Sequence, residues 1–122
     1  VFQYKDAIKY MVIDDCKDKV VIPEIAPNWD HTPRSGGNAI ILQNSTPEHF
    51  KKIAKRAILI SKNKPKEEQI IIIKSWNEWG EGNYMEPDLQ FGTSYLNALK
   101  ETLIDIPSLL YKKQTYFSRS TT

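Results

Sequence analysis

The stretch from Ile70 to Asp88 constrains the fold more than any other part of the sequence. Four isoleucines, residues 70–73, follow one another without a polar break. A short apolar run of this kind favours a strand buried on both faces, as in a parallel sheet covered by helices. The run leads into SWNEWGEG, so two indoles, an amide and two carboxylates follow the predicted strand directly. In α/β folds, ligands bind at that edge of the sheet.

Length and charge exclude several classes of protein. A chain of 122 residues is about one domain. With 17 basic and 15 acidic side chains, the net charge of +2 gives no electrostatic case for binding nucleic acid or an anionic membrane. The longest apolar run is far too short for a membrane span. One cysteine and two histidines predict no metal site and no cofactor. Because the chain begins at Val1, we expect a fragment or a processed product.

Hydrophobic periodicity and breaker residues predict alternating helices, strands and long loops. In chain order, the expected elements are a helix over Phe2–Asp15, a strand over Lys19–Ala26, a loop over Pro27–Asn38, a short extended piece over Ala39–Leu42, a helix beginning at Ser45-Thr46-Pro47-Glu48, a strand over Gln69–Lys74, a loop over Trp76–Phe91 and a helix over Ser94–Asp105. Thr46 or Ser45 can cap the middle helix, and Pro47 suits its first position. This order predicts parallel strands joined by right-handed crossovers.

The predicted fold class is α/β, and the chain is too short for a closed barrel of that class. A complete (β/α)8 barrel needs about 200 to 250 residues, so we expect the C-terminal portion of a (β/α)8 TIM-type barrel, with parallel strands and crossover helices. Residues 1–106 would form this part of the barrel, and residues 107–122 a polar C-terminal tail. If the chain stands alone, a homo-oligomer can cover its exposed sheet edges.

Glu78 and Glu81 are the candidate catalytic residues. They lie three positions apart just after the predicted buried strand, and the tight turn allowed by Gly80 and Gly82 can bring both into one cleft. Two carboxylates beside a scissile bond are what glycoside hydrolysis requires, one to donate a proton and one to act as base or nucleophile. The alternative is a pair of loop glutamates in solvent or in salt bridges.

The same loop supplies candidate substrate-binding residues. Trp76 and Trp79 can form apolar platforms for sugar faces, or they can be ordinary core aromatics. Asn77 can hydrogen-bond a sugar hydroxyl, or cap the turn. Tyr84 and Glu86 lie further along the loop and are further candidates for sugar contacts, although Glu86 also fits turn chemistry before Pro87.

A second loop opens at the same predicted edge and carries Trp29, Asp30, His31 and Arg34. An indole, a carboxylate, an imidazole and a guanidinium together suit recognition of a polar ligand, and Trp29, Asp30 and Arg34 are candidate substrate-binding residues. Arg34 can hold a carboxylate or phosphate bidentately. The alternative is an Asp30–Arg34 ion pair that rigidifies the loop.

Three stretches carry a resemblance to a known family. SWNEWGEGNYMEPDLQFGTSYLNAL resembles the C-terminal signature of the WbsX-type, glycoside hydrolase family 99-like domain proteins of bacterial polysaccharide and lipopolysaccharide O-antigen biosynthesis. PEIAPNWDHTPR resembles the upstream tryptophan–aspartate loop of that family, and STPEHFKKIAKRAI resembles the helix that follows it. The resemblance spans roughly Lys19 to Thr102, and the combination of the three stretches is specific.

The resemblance implies a barrel fold, a carbohydrate substrate and a role for each glutamate. The related endo-α-mannosidases have a Glu-x-x-Glu arrangement that matches Glu78 and Glu81. By that analogy Glu78 is the base that deprotonates the 2-hydroxyl of the sugar, and Glu81 is the general acid for the leaving group and then the base for water. Two positions depart from the pattern. Gly80 stands where those mannosidases carry a histidine, and His31 stands where the WbsX loop carries asparagine.

Three hypotheses of function follow. The first is a glycoside-active enzyme that uses the carboxylate pair, and the second is a glycosyltransferase of polysaccharide assembly, although no nucleotide-sugar motif is visible. The third is a non-catalytic carbohydrate-binding or structural domain. We expect a cytoplasmic location, with attachment to the membrane through a biosynthetic complex as the alternative. We also expect the isolated chain to have little activity, because much of the predicted barrel lies outside it.

Overall fold

The computed structural model of the chain describes residues 1–18 and 20–105. The elements in chain order are β1 (Phe2–Gln3), α1 (Tyr4–Met11), β2 (Glu24–Ile25), β3 (Trp29–Asp30), α2 (Thr32–Ser35), β4 (Ile41–Gln43), α3 (Pro47–Lys62), β5 (Ile72–Ile73), β6 (Asn77–Glu78), β7 (Asn83–Tyr84) and α4 (residues 94–105). Short 3-10 turns lie over Asp14–Lys17, Gly36–Asn38, Lys66–Glu68 and Trp79–Glu81.

The strands are short and form three small sheets. In the first sheet β4 lies between β1, to which it is parallel, and β3, to which it is antiparallel. In the second, β2 and β5 pair in parallel, with Glu24 opposite Ile72 and Ile25 opposite Ile73. The third is the antiparallel hairpin of β6 and β7. The hairpin follows β5 along the chain, so the stretch after the isoleucine run leaves the parallel pair and forms its own ladder.

The core lies between α1, α3 and α4. Its members share near-complete burial and include Tyr4, Ile8, Val12, Ile25, Phe50, Ile53, Ala54, Ala57, Met85, Tyr95 and Ala98. The hydroxyl of Tyr4 donates to the carbonyl oxygen of Ala26 at 2.7 Å, which satisfies the one polar atom of a fully buried ring. This bond ties α1 to the segment that leads into β3.

The start of α3 confirms the predicted cap. The helix begins at Pro47, and Oγ1 of Thr46 accepts a hydrogen bond from the backbone N–H of His49. This contact satisfies one of the amide groups that a helix leaves free at its N-terminus. In the first helix, Tyr4 and Ile8 are buried.

The ends of the first helix were predicted wrongly. The expected helix over Phe2–Asp15 is confined to Tyr4–Met11, because Phe2 and Gln3 instead pair with Leu42 and Gln43 in the first sheet. Local periodicity cannot detect a pairing with a segment 40 residues away.

The expected burial of the isoleucine strand on both faces is also wrong. Ile70 and Ile72 are 48% and 44% exposed, whereas Ile71 and Ile73 pack against the core. Within the described residues one face of this strand therefore contacts the helices and the other faces outward. The two predicted strands of this sheet are also shorter, since Lys19–Ala26 reduces to Glu24–Ile25 and Gln69–Lys74 to Ile72–Ile73. Lys19 itself lies outside the described residues.

Both predicted loops contain regular structure. The stretch Pro27–Asn38 holds β3 and the single helical turn of α2, and the stretch Trp76–Phe91 holds the β6–β7 hairpin. Two prolines and two adjacent glycines did not prevent this, because each element there is only two to four residues long. The fold class, a C-terminal part of a (β/α)8 barrel, stays a prediction, and the tail over residues 107–122 lies outside the described part of the chain.

Candidate functional site

The carboxylate pair lies on the turn of the β6–β7 hairpin. Glu78 ends β6, Glu81 ends the following 3-10 turn, and Gly82 leads into β7 with φ +51°. A Cβ on Gly82 would lie 2.9 Å from Cβ and from the carbonyl oxygen of Asp30. Two independent reasons therefore require glycine at this position. Its backbone is left-handed, and β3 lies too close to leave room for a side chain. This contact places the hairpin turn against the tryptophan–aspartate segment.

A buried asparagine fixes the base of the hairpin. Asn83 is fully buried, and its side-chain amide donates to the carbonyl oxygens of Asn28 and Lys74 at 2.7 and 2.8 Å. Its Oδ1 accepts from the hydroxyl of Ser75 at 2.9 Å. The amide of Asn28 in turn exchanges two hydrogen bonds with the backbone of Tyr84, at 2.8 and 3.2 Å. Three segments that are distant in sequence are thereby joined through two amide side chains.

Arg34 bridges the two glutamates. Its Nη2 lies 2.8 Å from Oε1 of Glu78, and its Nη1 lies 3.2 Å from Oε1 of Glu81. Nε2 of His31 lies 3.7 Å from the same Oε1 of Glu81. The guanidinium passes beside Gly80, where a Cβ would lie 3.2 Å from Nη2 of Arg34. One planar cation thus holds two carboxylates from opposite ends of a three-residue turn.

The pair has free acceptor capacity. All three contacts engage Oε1, and in the described part of the chain no hydrogen bond involves Oε2 of Glu78 or Glu81. The side chain of Glu81 is 18% exposed and that of Glu78 is 43% exposed. Two carboxylates on one turn, each with an oxygen available, can act on one polar ligand as proton donor and proton acceptor.

The Asp30–Arg34 ion pair, the alternative considered for this loop, is not among the contacts of the described residues. Oδ1 of Asp30 accepts from the hydroxyl of Thr32 at 2.6 Å and from its backbone N–H at 3.0 Å, so its carboxylate is bound to the first residue of α2. Those two bonds, the hydroxyl first, hold the pKa of Asp30 below its ordinary value of 3.8. Arg34 is consequently available to the glutamates.

Replacing Thr32 by valine should raise the pKa of Asp30 toward 3.8, because the largest stabilising contact of its carboxylate is lost. A lowered folded pKa contributes stability that is present above the ordinary value and is lost as the pH falls through the folded pKa. A carboxyl-carbon NMR titration measures the shift, and Thr93→Val at the start of α4 is the control. An unchanged Asp30 titration in Thr32→Val would contradict the assigned contact.

The aromatic side chains of the hairpin stack on one another. The rings of Trp79 and Tyr84 stack at 3.8 Å between centroids with 14° between planes. Nε1 of Trp79 donates to Oε1 of Glu86 at 3.0 Å, and the hydroxyl of Tyr84 donates to Oδ2 of Asp88 at 3.0 Å. Trp79 stays half-exposed, so its outer face is open to a ligand. Three predicted sugar contacts, Trp79, Tyr84 and Glu86, therefore form one connected patch.

The remaining predicted sugar contacts, Trp29, Trp76 and Asn77, differ in their exposure and in their hydrogen bonds. Nζ of Lys74 lies 4.7 Å from the ring centroid of Trp29, so a cation covers one face of that indole. Nε1 of Trp29 is buried and has no hydrogen-bond partner in the part of the chain described. Trp76 is half-exposed, and its carbonyl oxygen accepts from the backbone N–H groups of Met85 and Glu86. Asn77 is exposed and pairs through its backbone with Tyr84.

Sequence reasoning missed Asn28, Ser75, Asn83 and Asp88. Each looks in the sequence like an ordinary polar turn residue, and burial alone distinguishes a structural asparagine from a solvated one. The one usable signal was the density of asparagine and glycine around the hairpin, which is typical of tight turns but does not say which amide is buried. Metal-ligand clusters are absent among the residues that the structure describes.

Comparison with known protein families matches residues 1–99 to the family described as glycosyltransferase WbsX. The chain belongs to the WbsX family. The matched range contains every candidate site residue, from Trp29 to Glu86. The resemblance noted in the sequence is thereby confirmed at the level of the family.

Relatives of this WbsX-family chain carry names without an assigned activity. It is 28% identical over 110 residues to "Uncharacterized protein WxcX" of Xanthomonas campestris pv. campestris strain B100, and 27% identical to the protein of the same name in strain ATCC 33913. In both cases the match covers 89% of this chain and 16% of the relative. The chain therefore spans about one sixth of the length of these relatives.

No solved structure matches it significantly. None of the helices over the described residues is long and apolar enough to cross a membrane.

Proposed function

We propose that this chain is the C-terminal barrel part of a carbohydrate-processing protein of bacterial cell-surface polysaccharide biosynthesis, and that the protein acts on glycosidic bonds through Glu78 and Glu81. One observation carries the proposal. Carboxylates from the two ends of one turn converge on the guanidinium of Arg34, with contacts of 2.8 and 3.2 Å. Membership of the WbsX family supports a carbohydrate substrate. We also propose a cytoplasmic location.

The proposed reaction uses each glutamate in a separate role. Glu78 takes the proton of the 2-hydroxyl, and the 2-oxygen attacks the anomeric carbon as the glycosidic C–O bond breaks. Glu81 gives its proton to the departing oxygen, which leaves a 1,2-anhydro sugar and an alcohol. Water then opens the anhydro ring, with Glu81 taking a proton from it and Glu78 returning one to the 2-oxygen. Two inversions at the anomeric carbon give net retention of configuration.

Arg34 and His31 would position the pair. The guanidinium holds both Oε1 atoms, so it fixes the spacing of the carboxylates and leaves the Oε2 atoms to face the sugar. His31 contacts Glu81 from a second side, with Nδ1 of its ring 3.0 Å from the hydroxyl of Ser35. Gly80 is consistent with this arrangement, because a larger residue would push against the guanidinium.

The second candidate is a glycosyltransferase of polysaccharide assembly, which the description of the family favours. Its donor would be a nucleotide- or lipid-linked sugar. The pair carries two carboxylates, and the guanidinium of Arg34 beside them is bound to both, so this arginine is already neutralised by the pair and is a poor partner for a donor phosphate. This charge balance favours a neutral glycan. The third candidate, a non-catalytic binding domain, predicts no turnover at all.

The deciding experiment uses the full-length protein. It is incubated with mannose-containing and O-antigen-type glycans, with and without nucleotide- or lipid-linked donors, and products are followed by mass spectrometry and 1H NMR. We expect cleavage without a donor, with the reducing end first formed in the configuration of the substrate. A strict requirement for an activated donor would favour the transferase, and no product under any condition would favour the binding domain.

Replacing Arg34 by methionine should lower kcat by about 10²-fold with little change in KM, because a positioning contact is lost while sugar contacts remain. Arg34→Lys should recover only part of this, since a lysine cannot hold both carboxylates in one plane. Steady-state kinetics on the full-length protein measure both values. Arg56→Met on α3 is the matched control, because the guanidinium of Arg56 contacts Val12 and Asp14 instead of the glutamates. Wild-type kcat in Arg34→Met would show that the pair needs no bridge.

A further inference from the structure

A polar cleft includes Gly82 and Tyr84 of the hairpin in its lining, next in sequence to the turn that carries the carboxylate pair. It has a volume of about 670 Å³ and runs between β3, β4 and the segment that follows the hairpin. Trp29, Asp30, Tyr84, Asp88 and Tyr95 are among the residues that line it. The volume is within the range of small-ligand sites in proteins. Glu78 and Glu81 lie outside its lining, but Asp30 and Tyr84 belong to the two segments that hold them.

Tyr95 gives this cleft an unsatisfied polar group. The residue is only 4% exposed, and its hydroxyl has no hydrogen-bond partner in the described part of the chain. Burying a hydroxyl without a partner is unfavourable, so a phenylalanine would fold more easily at this position. Burial, and then the nearby Asp88 and Tyr84, raise the pKa of Tyr95, so the hydroxyl keeps its proton and can donate. Tyr95 thus brings an unpaired donor to the lining of the cleft, and this donor lies beneath its surface.

Two carboxylates complete the polar lining. Asp88 is held in place, since its Oδ1 accepts from the backbone N–H of Phe91 at 2.6 Å and its Oδ2 from the hydroxyl of Tyr84 at 3.0 Å. Asp30 is fixed through Oδ1 by Thr32. A carboxylate has about four acceptor positions, so both retain capacity for the hydroxyl groups of a ligand. Both charged side chains in the cleft are acidic, which opposes an anionic ligand.

Aromatic rings supply the apolar part of the same lining. Trp29, Tyr84 and Phe91 contribute to the walls, and Phe91 packs edge to face on Tyr95 at 5.6 Å. Nε1 of Trp29 is a second buried donor without a partner among the described residues. Hydroxyl-binding carboxylates, free donors and ring faces in one cleft match a compact ligand that has many hydroxyls and an apolar C–H face.

We propose that this cleft is a subsite for a neutral sugar ring, adjacent to the bond that Glu78 and Glu81 act on. The inference rests on the proposed function, because it takes the ring to belong to the same glycan. It assigns Tyr95, Asp88 and Asp30 to the recognition of hydroxyl groups. It also commits the subsite to neutral sugars, with uronic acids and sugar phosphates excluded by the two aspartates.

The test compares Tyr95→Phe, Asp88→Asn and the control Tyr10→Phe, which changes a tyrosine that is 78% exposed. Dissociation constants of full-length protein for methyl α-mannoside, α-linked mannobiose and glucuronate are measured by saturation-transfer NMR. We expect the neutral sugars to bind and glucuronate not to bind. Tyr95→Phe should weaken neutral binding about three- to tenfold through the lost hydrogen bond, while its Tm stays equal to or above that of wild type. Tyr10→Phe should change neither the dissociation constants for the neutral sugars nor Tm.

Each outcome separates the subsite from the catalytic proposal. Equal binding of glucuronate, no binding of the neutral sugars, or an unchanged dissociation constant in Tyr95→Phe and Asp88→Asn would overturn the subsite. If the subsite fails in this way but Glu78→Gln and Glu81→Gln abolish turnover, the catalytic proposal still holds. Neutral sugar binding that depends on Tyr95, together with full turnover in both glutamine variants, would support the subsite and overturn the catalytic pair.

Discussion

Glu78→Gln and Glu81→Gln should each lower kcat of the full-length protein by about 10²- to 10⁴-fold, the range expected when a general acid or base is removed. Glutamine keeps the size of the side chain and can still accept a hydrogen bond from Arg34 through its carbonyl oxygen. It can neither take a proton from the 2-hydroxyl nor give one to the leaving oxygen. The loss should therefore fall on the chemical step, and sugar binding should change little.

The matched control is Glu48→Gln, an exposed glutamate on the first turn of α3, whose kcat should equal that of wild type. Steady-state kinetics give kcat and KM for all three variants, and saturation-transfer NMR gives the affinity for the intact glycan. If both site variants kept wild-type kcat, the carboxylate pair would have no chemical role. If wild type showed sugar binding but no turnover, the domain would be a binding module.

Asn83→Ala should lower the free energy of unfolding by about 2 to 4 kcal/mol, because it leaves buried partners without a hydrogen bond. The carbonyl oxygens of Asn28 and Lys74 lose the donor of this amide, and the hydroxyl of Ser75 keeps only its bond to the backbone carbonyl oxygen of residue 83. The loss should also loosen the turn that carries Glu78, so kcat should fall in the same variant.

The control is Asn97→Ala on α4, where the exposed side-chain amide donates to Oγ1 of Thr93 at 3.3 Å and makes no other hydrogen bond within residues 1–18 and 20–105. Surface changes of this kind stay within about 0.5 kcal/mol. Urea unfolding followed by tryptophan fluorescence measures both variants under the same conditions. If Asn83→Ala lowered the free energy of unfolding by no more than Asn97→Ala does, the amide network would not hold the hairpin.

Sequence periodicity predicted α3 and its cap for a physical reason. A helix is stabilised within its own segment, so the apolar stripe of α3 and the cap at Thr46 could be read locally. The pairing of Glu78 and Glu81 was visible for the same reason, since both lie on one glycine-bounded turn. The Glu-x-x-Glu spacing was enough to identify the candidate pair before its geometry was known.

Long-range contacts could not be predicted in the same way. Arg34 lies 44 and 47 residues from the glutamates it bridges, and its expected partner was the nearby Asp30. The strands are two or three residues long, so no period of two is visible within them. Nothing in the sequence shows that the hydroxyl of Tyr95 lacks a partner among the described residues, because that depends on which groups pack around it.

The most direct test of the paired roles of Glu78 and Glu81 is the dependence of their variants on the leaving group. The rate of leaving-group release in the first turnover is measured for aryl glycosides with a nitrophenol leaving group, and for the corresponding glycosides with a sugar leaving group. An activated phenol needs no proton to depart, so Glu81→Gln should regain much of its first-turnover rate on the aryl substrate, although the later opening of the anhydro ring by water stays slow. Glu78→Gln should stay slow on both substrates, because the base is still missing. Equal losses of the first-turnover rate in Glu81→Gln on both substrates would contradict the assigned pair.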